Sequence, residues 1–301
     1  VTWALATVST PGRETFCAAL IGAEVREAPP LQDYPGLFEA LQDWDTVADR
    51  LRGYDPNGGR RIADAQVLAP VRYPRTVFCS GPNFRDHLAE MSGVALDAEV
   101  PIEPFFFLKP PTTTVIGPDD AIVISTDPAA QVDWEAELGV VIGRGGRDIP
   151  VGRAREHVAG YTIVNDISAR GPMHRGGAVH DAFVWDWLSS KSQDTFCPTG
   201  PGLTPEWLVP DPQNLSIRLS VNEVDHQAGS TTQMINSVDE LVAVASAVVT
   251  LQPGDIIATG TPAGVGAGKG TFLRPGDTVE VVIDRLGRLR NPVVGRDTAH
   301  S

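Results

Sequence analysis

The sequence predicts a mainly β fold of the α+β class. Among 301 residues, 30 glycines and 25 prolines stand against only 21% charged residues, a balance that implies many turns and short strands and not a helical bundle. Strand-like apolar runs dominate from Thr76 onward. Helical apolar spacing is confined to a few segments. With 42% hydrophobic residues, the chain can bury a sizeable core as one large domain or a large one with a small one.

Residues 1–70 read as a small N-terminal α+β unit and residues 71–301 as the main body. An apolar strand at Thr2 to Val8 opens the small unit. It is followed by one helix in which Leu37, Phe38, Leu41, Trp44, Val47, Ala48 and Leu51 recur at helical spacing. The turn cluster GYDPNGGRR, Gly53 to Arg61, marks the boundary region, and a short strand near Gln66 to Ala69 crosses to the main body. TVFCSGPNFRDHLAEMSG then begins as a strand, breaks at Gly81-Pro82 and continues as a short helix from Arg85 to Met91. PIEPFFFLKPPTTTVIG is strand-like between prolines, and His157 to Arg170 reads as a further strand, apolar until Asn165 and Asp166. SVDELVAVASAVVTL is the clearest helix, with Ser237 and Glu240 in capping-box spacing. PGD turns at Pro253 and Pro275 each feed a strand. No repeat of about 20 to 50 residues signals a solenoid or propeller.

A formal net charge of −14 excludes a nucleic-acid partner, which would be repelled at long range. Cys17, Cys79 and Cys197 are odd in number and never spaced C-x-x-C, which argues against a disulfide framework or a zinc site and fits a reducing cytoplasm. The opening VTWALATVSTPGRETF has no basic leader, and no apolar run reaches about 18 residues, so neither secretion nor a membrane is expected.

The chemistry-bearing pattern is VDWEAELGVVIG, Val132 to Gly143. In a strand Trp134, Ala136 and Leu138 share one face, and Asp133, Glu135 and Glu137 share the other. An acidic face in water is the plain reading; the apolar continuation Gly139-Val140-Val141-Ile142 argues for acids that lead into the interior, where a divalent cation would hold them together. Asp166 lies roughly thirty residues beyond Glu137, enough for a neighbouring strand in the same sheet. Oxygen-only ligation by Glu135, Glu137 and Asp166 suits Mg²⁺, Mn²⁺ or Ca²⁺ better than zinc or copper. His87 and Glu90 stand at i and i+3, where a carboxylate orients an imidazole as in a general-base dyad, and Arg85 is placed to meet an anionic substrate. In ATGTPAGVGAGKGTF, Ala263 and Gly270 break the phosphate-loop spacing, so a substrate-lining or turn loop is preferred. Met173, His174, His180 and Trp185 read as packing or surface residues.

The segments GPNFRDHLAE, FFFLKP, DWEAELGVVIG, GYTIVNDISAR, KSQDTFCPTGP and TLQPGDIIATGTPAGVG occur in that order, and the series resembles the fumarylacetoacetate hydrolase family from Pro74 to Val294. The resemblance implies a mixed β-sandwich roll with a small accessory N-terminal domain, a homodimer, and Mg²⁺ or Mn²⁺ on Glu135, Glu137 and Asp166. It implies that His87 and Glu90 form a lid dyad and that Lys191 stands near a developing oxyanion. Arg170, Gly260 and Thr261 match substrate-contacting positions, and Asp133 has no ligand role in the motif. The implied substrate is a small anionic 2-oxo or 1,3-diketo acid. The implied activity is hydrolysis of a C–C bond in an acylpyruvate-like compound through an enolate, with decarboxylation, isomerisation or hydration as alternatives on the same fold and a non-catalytic metal-binding protein as a third reading.

Two departures from the family pattern bear on specificity. Phe84 stands where a Tyr is common, and Arg170-Gly171-Pro172-Met173 replaces Arg-Asp-x-Gln, so Met173 lacks the amide donor and the pocket is expected to be more apolar. The segment from Gly81 to about Pro104, including the loosely patterned SGVALDAEVP, is expected to close over the substrate.

Overall fold

Eleven strands form the larger sheet of the computed structural model, which describes residues 2–93 and 102–296. Along its main path the order is Glu24–Glu27, Arg13–Ile21, Ala4–Thr10, Cys197–Pro205, Val158–Asn165, Ala136–Ile142, Ile256–Ala258, Val77–Ser80 and Phe106–Lys109. Most pairs are antiparallel, but Ile256–Ala258 runs parallel to Val77–Ser80, so the sheet is mixed. A second sheet of five strands is ordered Val224–Ser230, Ser216–Val221, Thr278–Ile283, Gly287–Arg296 and Ile122–Ser125. This is the sheet-rich α+β architecture that the sequence predicts.

Ala136–Ile142 is buried along its whole length because both faces of the sheet are covered. Leu138, Val140 and Ile142 pack in one core with Ile217, Leu219, Val279, Val281 and Leu289 of the second sheet. Val141 points the other way, into a core with Leu41, Trp44 and Val47. The glycine ending this strand makes that second contact close: a Cβ on Gly143 would stand 2.4 Å from the Trp44 indole. Residues 2–70 join the larger sheet directly, Leu5 lying opposite Leu203 in an antiparallel pair.

Three local expectations are corrected. The single helix expected over Leu37 to Leu51 is two, Leu37–Leu41 and Trp44–Leu51. Its periodicity crosses a break at Asp43, whose non-helical backbone places its carboxylate 2.8 Å from the Tyr34 hydroxyl that donates to it. The strand expected from Val132 to Gly143 is interrupted at Trp134 and Glu135, leaving Val132–Asp133 and Ala136–Ile142. The strand expected over His157 to Arg170 ends at Asn165 and resumes only at Ser168–Ala169. Both interruptions occur at candidate ligands.

The helix Arg85–Ser92 ends at Gly93, whose φ of +68° is the left-handed cap that glycine favours. Residues 94–101 of the stretch expected to close over the substrate lie outside the described residues. No helix among the described residues is long and apolar enough to cross a membrane.

The helix Val238–Val248 begins with the expected capping box, the Ser237 hydroxyl accepting from Glu240 N and the Glu240 carboxylate accepting from Ser237 N. Ser237→Ala is expected to lower stability by about 1 kcal/mol. Urea unfolding should show a lower midpoint at an unchanged slope.

Candidate active site

Two neighbouring strands break side by side, and the breaks build the site. Ala136–Ile142 pairs with Val158–Asn165 so that Ala136 lies opposite Asn165, and Asp166 N donates to Glu135 O at 2.8 Å just beyond the last pair. Side chains replace the missing ladder bonds. Asn165 Oδ1 accepts from Glu135 N at 3.2 Å, and Gln227 Oε1 accepts from Ala136 N at 3.0 Å. Thr261 Oγ1 donates to Ala136 O at 2.9 Å. With its backbone satisfied in this way, the irregular segment can be buried.

Trp134, Ala136 and Leu138 enter the sandwich core, as the alternation predicts. On the other face Glu135, Glu137 and Asp166 converge, each offering one oxygen within 4.8 Å of the others. None of them is exposed to solvent beyond 6%. Asp133 is fully buried as well, so four carboxylates occupy one interior region.

Three buried or nearly buried cations face them. Lys191 Nζ lies 2.7 Å from both Glu135 Oε2 and Asp166 Oδ2. Arg170 spans Asp133 Oδ1 at 2.8 Å and Glu135 Oε1 at 2.5 Å. Lys109 Nζ lies 2.7 Å from Asp166 Oδ1. Its three protons are directed at the carbonyls of Ile167, Lys191 and Phe196, so Asp166 Oδ1 receives no aligned hydrogen bond among the described residues.

These surroundings separate the carboxyls electrostatically. Burial works to raise Glu135, but the Lys191 ammonium and the Arg170 guanidinium outweigh it and hold the group well below the usual carboxylate range. Glu137 is pushed well above that range by burial and by the charges of Asp166 and Glu135. Burial raises Asp133 to about 6 against the pull of Arg170. Burial alone would lower Lys191, yet Asp166 and Glu135 hold it above the ordinary lysine value, so it stays an ammonium.

The donor set fits a hard divalent cation. It is oxygen-only, compact and enclosed, and Asp166 Oδ1 is a buried acceptor left without an aligned donor.

The His87–Glu90 pair predicted from the sequence is present: His87 Nδ1 and Glu90 Oε2 are 3.4 Å apart, with the imidazole nearly buried. Both Glu90 oxygens also accept from Gly264 N at 3.1 Å. The glycine loop therefore braces this pair. A Cβ on Gly268 would stand 2.5 Å from the Glu90 carboxylate, and Gly264 has a φ of +105°. The same loop reaches Asp133 through Ala267 N, at 2.8 Å from Oδ2.

The remaining expected substrate contacts are placed as follows. Gly260 N donates to Glu137 Oε2 at 2.7 Å. The Thr261 hydroxyl is engaged by Ala136 O and Gln227. Arg85 opens the helix, half-buried, its side chain making no hydrogen bond or ion pair among the described residues. Phe84 is fully buried in the sandwich core, where a tyrosine hydroxyl would need a partner. His174 and Trp185 pack edge to face, and His180 caps a short turn, consistent with packing and surface roles.

Sequence reasoning missed Lys109, Asn83 and Gln227. Lys109 was visible as a lone cation ending the apolar strand FFLK. Asn83 donates to Thr259 O at 2.9 Å and accepts from Asn236 N at 2.8 Å, tying the entry of the His87 helix to the end of the central sheet. Nothing in the local pattern of Gln227 announces its bond to a strand ninety residues away.

The family model described as fumarylacetoacetate (FAA) hydrolase, C-terminal, matches residues 76–294. The chain belongs to the fumarylacetoacetate hydrolase family. Within it, the mitochondrial oxaloacetate tautomerase fahd2 of Xenopus laevis is 42% identical over 235 residues, covering 77% of this chain and 69% of that protein. Oxaloacetate tautomerase YisK of Bacillus subtilis is 40% identical over 235 residues, covering 77% of this chain and 74% of its own. Among solved structures, maleylpyruvate hydrolase from Sphingobium sp. SYK-6, in complex with manganese(II) and pyruvate, aligns with a TM-score of 0.75 at 29% identity over 98% of this chain and all of that one. The family thus places hydrolases and tautomerases on one fold.

Lys109 gives a direct test of the site's construction. Lys109→Met should cost about 3–5 kcal/mol, because it leaves Asp166 and three carbonyls buried without their cation. Chemical denaturation without added metal measures this, and a loss under 1 kcal/mol would show that Lys109 does not hold Asp166.

Proposed function

We propose that this family member is a divalent-metal-dependent enzyme that interconverts the enol and keto forms of a short 2-oxo diacid of the oxaloacetate class. The observation that carries the proposal is the convergence of Glu135, Glu137 and Asp166 beside the Lys191 ammonium. The tautomerase relatives at 40–42% identity support the choice of reaction. Glu135, Glu137 and Asp166 would hold Mg²⁺ or Mn²⁺, with Ca²⁺ a third candidate. A bound ion supplies Lewis acidity toward the carboxylate and 2-oxo oxygens of a chelating substrate.

The chain's own residues do the rest. His87 Nδ1 faces Glu90, which leaves Nε2 as the atom to exchange a proton with the substrate's C3. Lys191 remains an ammonium and presents positive charge where the 2-oxo oxygen becomes negative. Arg170 and Arg85 are the cations for the substrate's carboxylates, overcoming at short range the repulsion set by the net charge of −14. Homodimeric assembly, a reducing cytoplasmic setting and an accessory role for residues 1–70 belong to the same proposal.

C–C hydrolysis of an acylpyruvate-like diketo acid is the second reading. It is favoured by the His87–Glu90 pair, which suits activation of water, and by the likeness to maleylpyruvate hydrolase. Product mass separates the two reactions, since tautomerisation leaves it unchanged and hydrolysis adds water and splits the substrate.

Oxaloacetate and a set of acylpyruvates, each with Mg²⁺ and with Mn²⁺, form the assay. Faster enol–keto relaxation of oxaloacetate without cleavage is expected, and cleavage of an acylpyruvate alone would favour hydrolysis. His87→Ala should lower turnover about 10²-fold or more while Mn²⁺ affinity stays near wild type. Normal turnover by that variant would place the proton-transfer group elsewhere.

A further inference from the structure

Asp133 is as deeply buried as the proposed ligands, yet it lies outside their cluster. Its Oδ2 is fixed by the backbone N–H of Ala267, and its Oδ1 accepts from Arg170 Nε, both at 2.8 Å. The neighbouring edge of the same guanidinium donates through Nη2 to Glu135 Oε1. One side of Arg170 is thus divided between a carboxylate outside the three-acid cluster and a carboxylate proposed to bind a metal. The far edge, Nη1, makes no hydrogen bond among the described residues, and the side chain is only 10% exposed.

Glu135 has no oxygen to spare in this arrangement, because Oε2 is held by Lys191 at 2.7 Å. A divalent cation on Glu135 must therefore compete with a monovalent one already there. If Asp133 were neutral, Arg170 would have Glu135 as its only charged partner and could close on it with two parallel bonds, the strongest geometry open to an arginine and a carboxylate.

Building on the metal-site reading above, we propose that Asp133 is the positioning residue of Arg170. It draws the guanidinium off Glu135 when a divalent cation binds and holds the freed edge toward the substrate's carboxylate. The third acid of the DWEAE pattern thereby acts on a cation of the chain and not on the metal. Because Ala267 anchors Asp133 and Gly264 anchors Glu90, the glycine loop fixes the arginine and the proton-transfer pair relative to each other.

Mn²⁺ affinity, measured by the electron paramagnetic resonance of the free ion, tests this in four proteins: wild type, Asp133→Asn, Arg170→Ala and the double variant. Asp133→Asn should weaken Mn²⁺ binding about tenfold or more when Arg170 is present. In the Arg170→Ala background the same change should have at most about a twofold effect, since nothing is left to position. Equal losses in both backgrounds would overturn the proposal and leave the metal site intact, whereas no Mn²⁺ binding by wild type would overturn the metal site itself. Should Asp133→Asn not fold, Arg170→Ala alone decides. Tighter Mn²⁺ binding together with weaker binding of oxalate at saturating Mn²⁺ is expected, and weaker Mn²⁺ binding would contradict the competition.

Discussion

Four carboxylates in one water-poor region are the constraint on which the rest of this structure depends. Asp133, Glu135, Glu137 and Asp166 cannot all be ionised there without compensation, because an isolated buried charge costs far more than a fold of marginal stability can supply. Lys109, Arg170 and Lys191 provide three positive charges against four negative ones. The remaining imbalance falls on Glu137, which burial and its neighbours push toward the protonated form. The chain's own cations thus offset most of the charge that the proposed metal ligands bring into the interior.

The backbone accommodates that cluster by giving up regular structure where the clustered acids lie. Both acid-bearing strands are interrupted, and the side chains of Asn165, Gln227 and Thr261 take over the lost ladder bonds. These groups are fixed by packing on both sides of the sheet, so the acids are held by the rigid centre of the molecule. The His87–Glu90 pair is attached differently, through Asn83 to the sheet end and through Gly264 to the glycine loop. The proposed metal ligands thus sit on the core and the proposed proton-transfer pair on a separate helix, an arrangement in which the pair can be adjusted apart from the acids.

Much of this was legible in the sequence. The alternation of Trp134, Ala136 and Leu138 with three acids gave the faces correctly, because a period of two survives even where the strand is interrupted. The interruption itself was not legible, since it is stabilised by Gln227 and Asn165 from other parts of the chain. The helical spacing across Leu37 to Leu51 concealed a break because both halves bury the same apolar stripe. Asp133 could not be assigned from its spacing, as its partner Arg170 is thirty-seven residues away. Lys109 is a charge at the end of an apolar strand, a local signal of a buried partner that does not say which carboxylate it meets.

Three carboxylates, already largely balanced by the chain's own cations, are proposed to form one divalent-metal site. Anomalous diffraction from crystals soaked in Mn²⁺ measures this most directly. A single strong peak per chain is expected within about 2.0–2.3 Å of oxygens from Glu135, Glu137 and Asp166, with Lys109 and Lys191 still beside Asp166. A peak elsewhere, or none at Mn²⁺ concentrations that support turnover, would contradict it.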